Sequence, residues 1–208
     1  MKKVSVTEFK GQSNMEIIKS FMDSNNGYVT SKMVTDLGIH RMYLNIMCEK
    51  GIVEKVGKGI YIDSKKYEDS YFVFSLENPN ITFSHMTALY FYGLSIKTPG
   101  SIYDITIFNK YHNPKIKSHN IFYVSKDINS LGLTETTTPT GNNVKTYDIE
   151  RCICDIIRSR KRMDIEHVKY SVKEYIKRKD KDLIKLSDYA EKMGIKAEVM
   201  DFVSIMYE

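Results

Sequence analysis

Arg41 and Asn45 stand four positions apart in the run IHRMYLNIMCEKG (residues 39–51), so a helix there puts both on one face. A guanidinium bonds guanine O6 and N7 bidentately, and a carboxamide does the same with adenine N6 and N7. The pair is a candidate reader of base edges. His40 and Glu49 share that face and Met42 and Tyr43 flank it, while Leu44, Met47 and Cys48 at i, i+3, i+4 face a core. Thr30, Ser31 and Lys32 open the preceding helix. Lys55 and Lys58 lie in IVEKVGKGIYI, with Lys58 at a turn placed for phosphate or the minor groove. The candidate DNA contacts are thus Thr30, Ser31, Lys32, His40, Arg41, Tyr43, Asn45, Lys55 and Lys58.

A second cationic group, Arg158, Arg160, Lys161 and Arg162, ends an apolar-striped helix. It reads either as a solvated helix end or as a second anionic contact, toward DNA, RNA or nucleotide, and an antitoxin face.

The remaining constellations complete no reaction centre. A PD-(D/E)xK nuclease could begin at Asp104, but the pattern ending at Lys110 has Phe108 where the second acid is required. Gly100-Ser101 is followed closely by Asp104 alone, short of the paired aspartates of a nucleotidyltransferase. Ser84 and His85 are adjacent at a helix start and are expected to cap and pack rather than face each other. Cys48, Cys152 and Cys154 form no C-x-x-C pair, and none of the five histidines sits in H-E-x-x-H. Buried thiols are expected, with no disulfide, metal, cofactor or enzymatic activity.

These side chains need elements to hold them. NMEIIKSFMDS (14–24) reads as a helix, KMVTDLG (32–38) as a short one capped by Thr30 or Ser31, and 39–50 as a third, ended by Gly51. Two β-prone runs joined by Gly57-Lys58-Gly59 follow, a hairpin signal. Three helices and a basic-tipped hairpin spell a winged helix-turn-helix over residues 1–68, whose third helix suits the major groove. Winged helices also dock proteins, so that reading stands beside it. Residues 69–208 begin with the aromatic run YFVFSL and hold a short helix after Ser84. Three strand-like runs, 102–108, 121–125 and 144–147, suggest a small, mostly antiparallel sheet. Helices from 149, 165, 182 and 196 form a helical end. The fold class is α+β.

Net charge is +5, but residues 151–185 alone carry twelve basic and six acidic groups. The longest stretch without Lys, Arg, Asp or Glu, Asn78–Ile96, holds Asn, Pro, Thr, Ser and His, which excludes a membrane span. The N-terminus lacks an apolar core of signal-peptide length, so a cytoplasmic location is expected.

Three stretches, GIHRMYLNIMCEKGIVEKVGKGIYI, TFSHMTALYFYGLS and VKTYDIERCICDIIRSRKRMD, together resemble the AbiEi antitoxin family of abortive-infection (type IV) toxin–antitoxin systems. The likeness runs from about residue 14 to 206. Its more specific part is Ser84-His85…Thr87-Ala88-Leu89…Gly93-Leu94-Ser95 followed by Tyr147-Asp148…Glu150-Arg151…Asp155…Arg158. The resemblance implies a bifunctional bacterial protein. Its N-terminal domain would bind inverted repeats in its own promoter and repress the operon. Its C-terminal domain would neutralise a cognate nucleotidyltransferase-like toxin without requiring a stable complex. SKKYEDSYFVF (64–74) is less like the family, which leaves the junction near 68/69 the loosest boundary. The competing reading is a stand-alone winged-helix regulator whose C-terminal domain senses a ligand.

Overall fold

Ser13 starts the first helix with a reciprocal cap: its hydroxyl accepts the Glu16 N–H while the Glu16 carboxylate accepts the Ser13 N–H at 2.7 Å. In this computed structural model, which describes residues 12–108 and 116–207, that helix is α1 (Asn14–Asp23) and buries Ile18, Phe21 and Met22. Strand β1 (Tyr28–Thr30) ends at Thr30, whose hydroxyl accepts the Met33 N–H at 3.2 Å and so caps α2 (Ser31–Asp36). Gly38, at φ +75°, turns the chain toward α3 (Met42–Glu49), which buries Leu44 and Met47.

Strands β2 (Val53–Gly57) and β3 (Ile60–Asp63) form the expected hairpin, and β1 adds a third antiparallel strand in the order β1-β3-β2. Central β3 is therefore covered along its whole length. The register of β2 slips by one residue between Lys55 and Gly57, leaving Val56 as a bulge. YFVFSL becomes helix α4 (Ser70–Glu77), because Asp69 accepts the Phe72 N–H at 3.1 Å and Phe72 packs edge-on against Tyr28. By contacts, the described residues through Pro79 with Thr140–Asn142 make one unit, so α4, beyond the 68/69 junction expected from sequence, packs within it.

The second unit holds β4 (Ile81–Phe83), α5 (His85–Phe91), β5 (Asp104–Phe108), β6 (Asn120–Val124), α6 (Lys126–Ser130), β7 (Leu133–Thr137) and β8 (Asn143–Tyr147). Then come α7 (Ile149–Arg158), a 3-10 turn at Arg160–Arg162, α8 (Ile165–Lys177), α9 (Leu183–Lys192) and α10 (Lys196–Ile205). The chain is α+β, but the second sheet corrects the expectation of a mostly antiparallel one. Its order is β6-β5-β4-β8-β7, with β4–β5 and β7–β8 antiparallel and β4–β8 and β5–β6 parallel. Strand-forming composition carries no direction. Strands β5 and β6 pair in parallel from Asp104–Asn120 to Phe108–Val124. No helix among the described residues is long and apolar enough to cross a membrane.

Helix α7 departs most from its amphipathic reading: besides the apolar stripe, Glu150, Arg151 and Asp155 are also buried. Arg151 is fully enclosed. Its Nε donates to Asp155 Oδ1 at 3.1 Å, one Nη donates to the carbonyls of Ile128 and Leu131, and its guanidinium lies 4.3 Å from the centre of the Tyr147 ring. Tyr175 Oη donates to Glu150, and Lys185 bridges Glu150 and Asp148. Removing one member of a buried pair leaves the other charge uncompensated. Arg151→Met should therefore lower unfolding free energy by about 3–5 kcal/mol in urea denaturation, and Arg151→Met with Asp155→Leu should recover a measurable part of it.

Candidate nucleic-acid interface

The hydrogen bond from the Ser31 N–H to the Gly59 carbonyl, 2.8 Å, ties the first turn of α2 to the tip of the β2–β3 hairpin. Between these elements and α3 lies an open groove of about 470 Å³ lined by Ser31, Arg41, Asn45, Lys55, Lys58, Gly59 and Tyr61. Three of its lining side chains are cations and none is a carboxylate. Arg41 occupies the cap position of α3 and Asn45 lies one turn inside; both are exposed. Lys58 keeps its ammonium exposed, while its backbone N–H donates to Glu77 Oε1 at 3.0 Å, fixing the hairpin tip to α4.

The structure thus brings together Ser31, Arg41, Asn45, Lys55 and Lys58. The other four candidates stand apart from the groove lining. Thr30 holds the α2 cap, Lys32 is exposed on α2, and Tyr43 is half-buried against the helical core. His40 is exposed, and its Nδ1 accepts the Met42 N–H at 3.2 Å at the start of α3.

Gly59 and Tyr61 were not legible as groove residues. Tyr61 pairs with Lys55 across β2–β3, so the register carries the signal, but central β3 lacks the alternation that would reveal it. Gly59 sits at φ +70°, and a Cβ there would come within 3.1 Å of Ser31 Oγ; glycine allows the turn and the approach together.

Residues 16–62 match the AbiEi antitoxin family, described as a transcriptional regulator. No curated protein matches the chain. Among solved structures, the RV2827C protein from Mycobacterium tuberculosis is similar over 93% of this chain and 81% of its own, at 11% identity and a TM-score of 0.47. The AbiEi-matching segment contains every residue that lines the groove.

The cationic run of the second unit is divided by geometry. Arg158 ends α7 and is exposed, as is Lys161. Arg160 donates to the Ile157 carbonyl at 2.8 Å and pairs with Glu198 at 2.6 Å, whereas Arg162 lies 4.9 Å from the centre of the Phe122 ring. Arg160 is thus committed to Glu198 and Arg162 rests on Phe122, while Arg158 and Lys161 are exposed.

Ser84 and His85 correct a further expectation. Ser84 makes no side-chain cap; its hydroxyl lies 2.9 Å from His85 Nδ1, because His85 adopts φ +49°. His85 Nε2 meets Ser159 Oγ at 3.0 Å and the ring stacks on Phe122 at 3.5 Å. Both residues are buried, which denies a substrate access. Of the nuclease pattern, Asp104 is buried, Phe108 is partly exposed, and Lys110 lies outside the described residues. Burial pushes the thiols of Cys152 and Cys154 above their ordinary range, which suits inert core residues.

Burial, then the nearby Arg151, Arg162 and Arg158, hold His85 well below its ordinary value of 6.5. Below that pH the unfolded chain takes up a proton that the folded chain refuses, so stability falls as pH drops from 6.5 toward the folded value. His85→Asn, a residue that tolerates positive φ, should make the stability profile between about pH 5 and 6.5 shallower by up to about 1.4 kcal/mol per pH unit. Urea titrations across that range measure it, and unchanged slopes would contradict a buried neutral imidazole.

Proposed function

We propose that this protein is the antitoxin and autorepressor of a type IV toxin–antitoxin system acting in abortive infection and phage resistance. Residues 1–68 form a winged helix-turn-helix that binds an operator with inverted repeats in its own promoter. Residues 69–208 neutralise a cognate nucleotidyltransferase-like toxin. The protein acts in the cytoplasm, without cofactor or metal, and is not an enzyme. The observation that carries the DNA reading is the convergence of Arg41, Asn45, Lys55 and Lys58 on one groove without a carboxylate in its lining.

The mechanism follows from side-chain chemistry. With α3 in the major groove, its first turn meets base edges, so Arg41 addresses guanine and Asn45 adenine. Lys55 and Lys58 on the hairpin neutralise phosphates and release counterions, which sets affinity and its salt dependence. Ser31, at the start of α2, donates to the backbone and fixes register. The exposed Arg158 and Lys161, in the second unit, supply the second anionic contact. Arg160, paired with Glu198, belongs to the structure of that segment.

Arg41→Ala should cost about 1–3 kcal/mol on the operator and leave non-specific binding nearly unchanged. Lys58→Ala should weaken both alike and reduce the salt slope by about one. Gel shifts over a salt series with the promoter fragment read both effects. If neither variant is impaired, the winged helix is a protein-docking module. Co-expression with the neighbouring toxin gene tests the second role. Arg41→Ala should abolish repression yet still protect growth, and Arg158→Glu with Lys161→Glu should lose protection while repression persists. Loss of protection in Arg41→Ala would reduce neutralisation to transcriptional control.

A further inference from the structure

Helix α4 ends on a carboxylate. Glu77 is its last residue, at the end where the helix dipole favours a cation, and among the described residues it makes no ion pair. Helix stability therefore gives no reason for an acid there. The carboxylate accepts the Lys58 N–H at 3.0 Å. The hairpin leaves room for this approach: a Cβ on Gly57 would come within 3.0 Å of Glu77 Oε1 and 3.3 Å of Val73 Cγ1. Lys58 is exposed, and among the described residues its ammonium makes no ion pair. The bond thus holds the backbone of the tip and leaves the cation available.

The other end of α4 is anchored too. Buried Asp69 accepts the Phe72 N–H with Oδ1, and the Thr140 hydroxyl and Asn142 Nδ2 with Oδ2, while its own N–H donates to Tyr28 Oη at 2.6 Å. Tyr28 lies on β1, which pairs with β3 of the hairpin, and all of these residues belong to the first unit. Glu77 carries that anchorage to the tip. For a DNA reader it is nevertheless an unfavourable neighbour of Lys58. A carboxylate beside a phosphate-binding lysine repels the approaching backbone, so by charge alone binding would be tighter without it. A tip left free would have to be ordered on binding, which lowers affinity. The two effects have opposite signs, so a measurement separates them.

We propose that Glu77 is a positioning residue of the DNA interface, holding the hairpin tip in advance so that Lys58 meets a phosphate while α3 lies in the major groove. It acts through Lys58 and touches no DNA itself. The inference rests on the DNA-binding reading and adds to it a residue beyond the winged helix and outside the groove lining.

Gel shifts of the full chain on the promoter fragment, arranged as a double-mutant cycle, test it. Glu77→Ala should weaken binding about three- to tenfold although it deletes a negative charge. Glu77→Gln keeps an acceptor for the Lys58 N–H and should bind at least as tightly as the unmodified protein. In a Lys58→Ala background, which retains the backbone N–H, Glu77→Ala should cost less than about twofold, because the lysine it positions is gone. Without DNA, hydrogen exchange should find the Lys58 amide less protected in Glu77→Ala, at a nearly unchanged melting temperature. Binding by Glu77→Ala as tight as that of the unmodified protein, or tighter, overturns the proposal. So does a loss that persists undiminished in the Lys58→Ala background, or a Lys58 amide whose exchange is unaltered. These outcomes leave the DNA reading standing, whereas a promoter fragment that the unmodified protein does not shift removes that reading and this inference together.

Discussion

An arginine without access to water organises the second unit. Arg151 cannot be hydrated, so its donors must be met by protein, and the partners come from four places: Asp155 on its own helix, the carbonyls of Ile128 and Leu131, and the Tyr147 ring at the end of β8. Each must be in place for the charge to be tolerated, so α7, the α6–β7 turn and β8 are fixed relative to one another. Burial nevertheless keeps the Asp155 carboxyl above its ordinary range, against the pull of Arg151. Arg151 Nη2 and Asp155 Oδ2 have no hydrogen-bond partner among the described residues. The arrangement favours a single geometry over maximal stability.

The stretch from Tyr147 to Asp155 is accordingly not a surface motif. Tyr147, Asp148, Glu150, Arg151 and Asp155 belong to an interior polar network that continues through Tyr175, Lys185 and Tyr189. A core that mixes ionised groups with Cys152, Ile153, Ile156 and Ile157 tolerates few alternative residue sets. Its charges need one another.

What was legible in the sequence follows the same physics. Helices with an apolar stripe and a cap, such as α1, α3 and α8, stood out because burial and termination both leave marks on residue type. Strand β4 has three residues and β7 reads LTETT, too short or too polar for a period-two signal. Strand direction depends on where a connection returns, which composition does not encode. Arg41 and Asn45 could be placed on one face by helical periodicity alone. Tyr61 and Gly59 could not, since they join the groove through strand pairing and a turn. Ser84 and His85 defied a sound local rule because His85 adopts a backbone conformation that side chains seldom take.

The bulge at Val56 has a consequence for how such a hairpin can change over evolutionary time. Lys55 lies on β2 and Lys58 in the turn just beyond it, and the extra residue at Val56 is part of the spacing at which both lysines line one groove. Residue identity along this hairpin is therefore a looser constraint than its length. Exchanging Lys for Arg preserves the charge pattern, whereas losing a single residue between them would turn one cation away from the groove with the composition of the surface otherwise intact. Relatives with different hairpin lengths would present different charge patterns from nearly the same amino acids, and insertion or deletion would be the quicker route to a new binding preference.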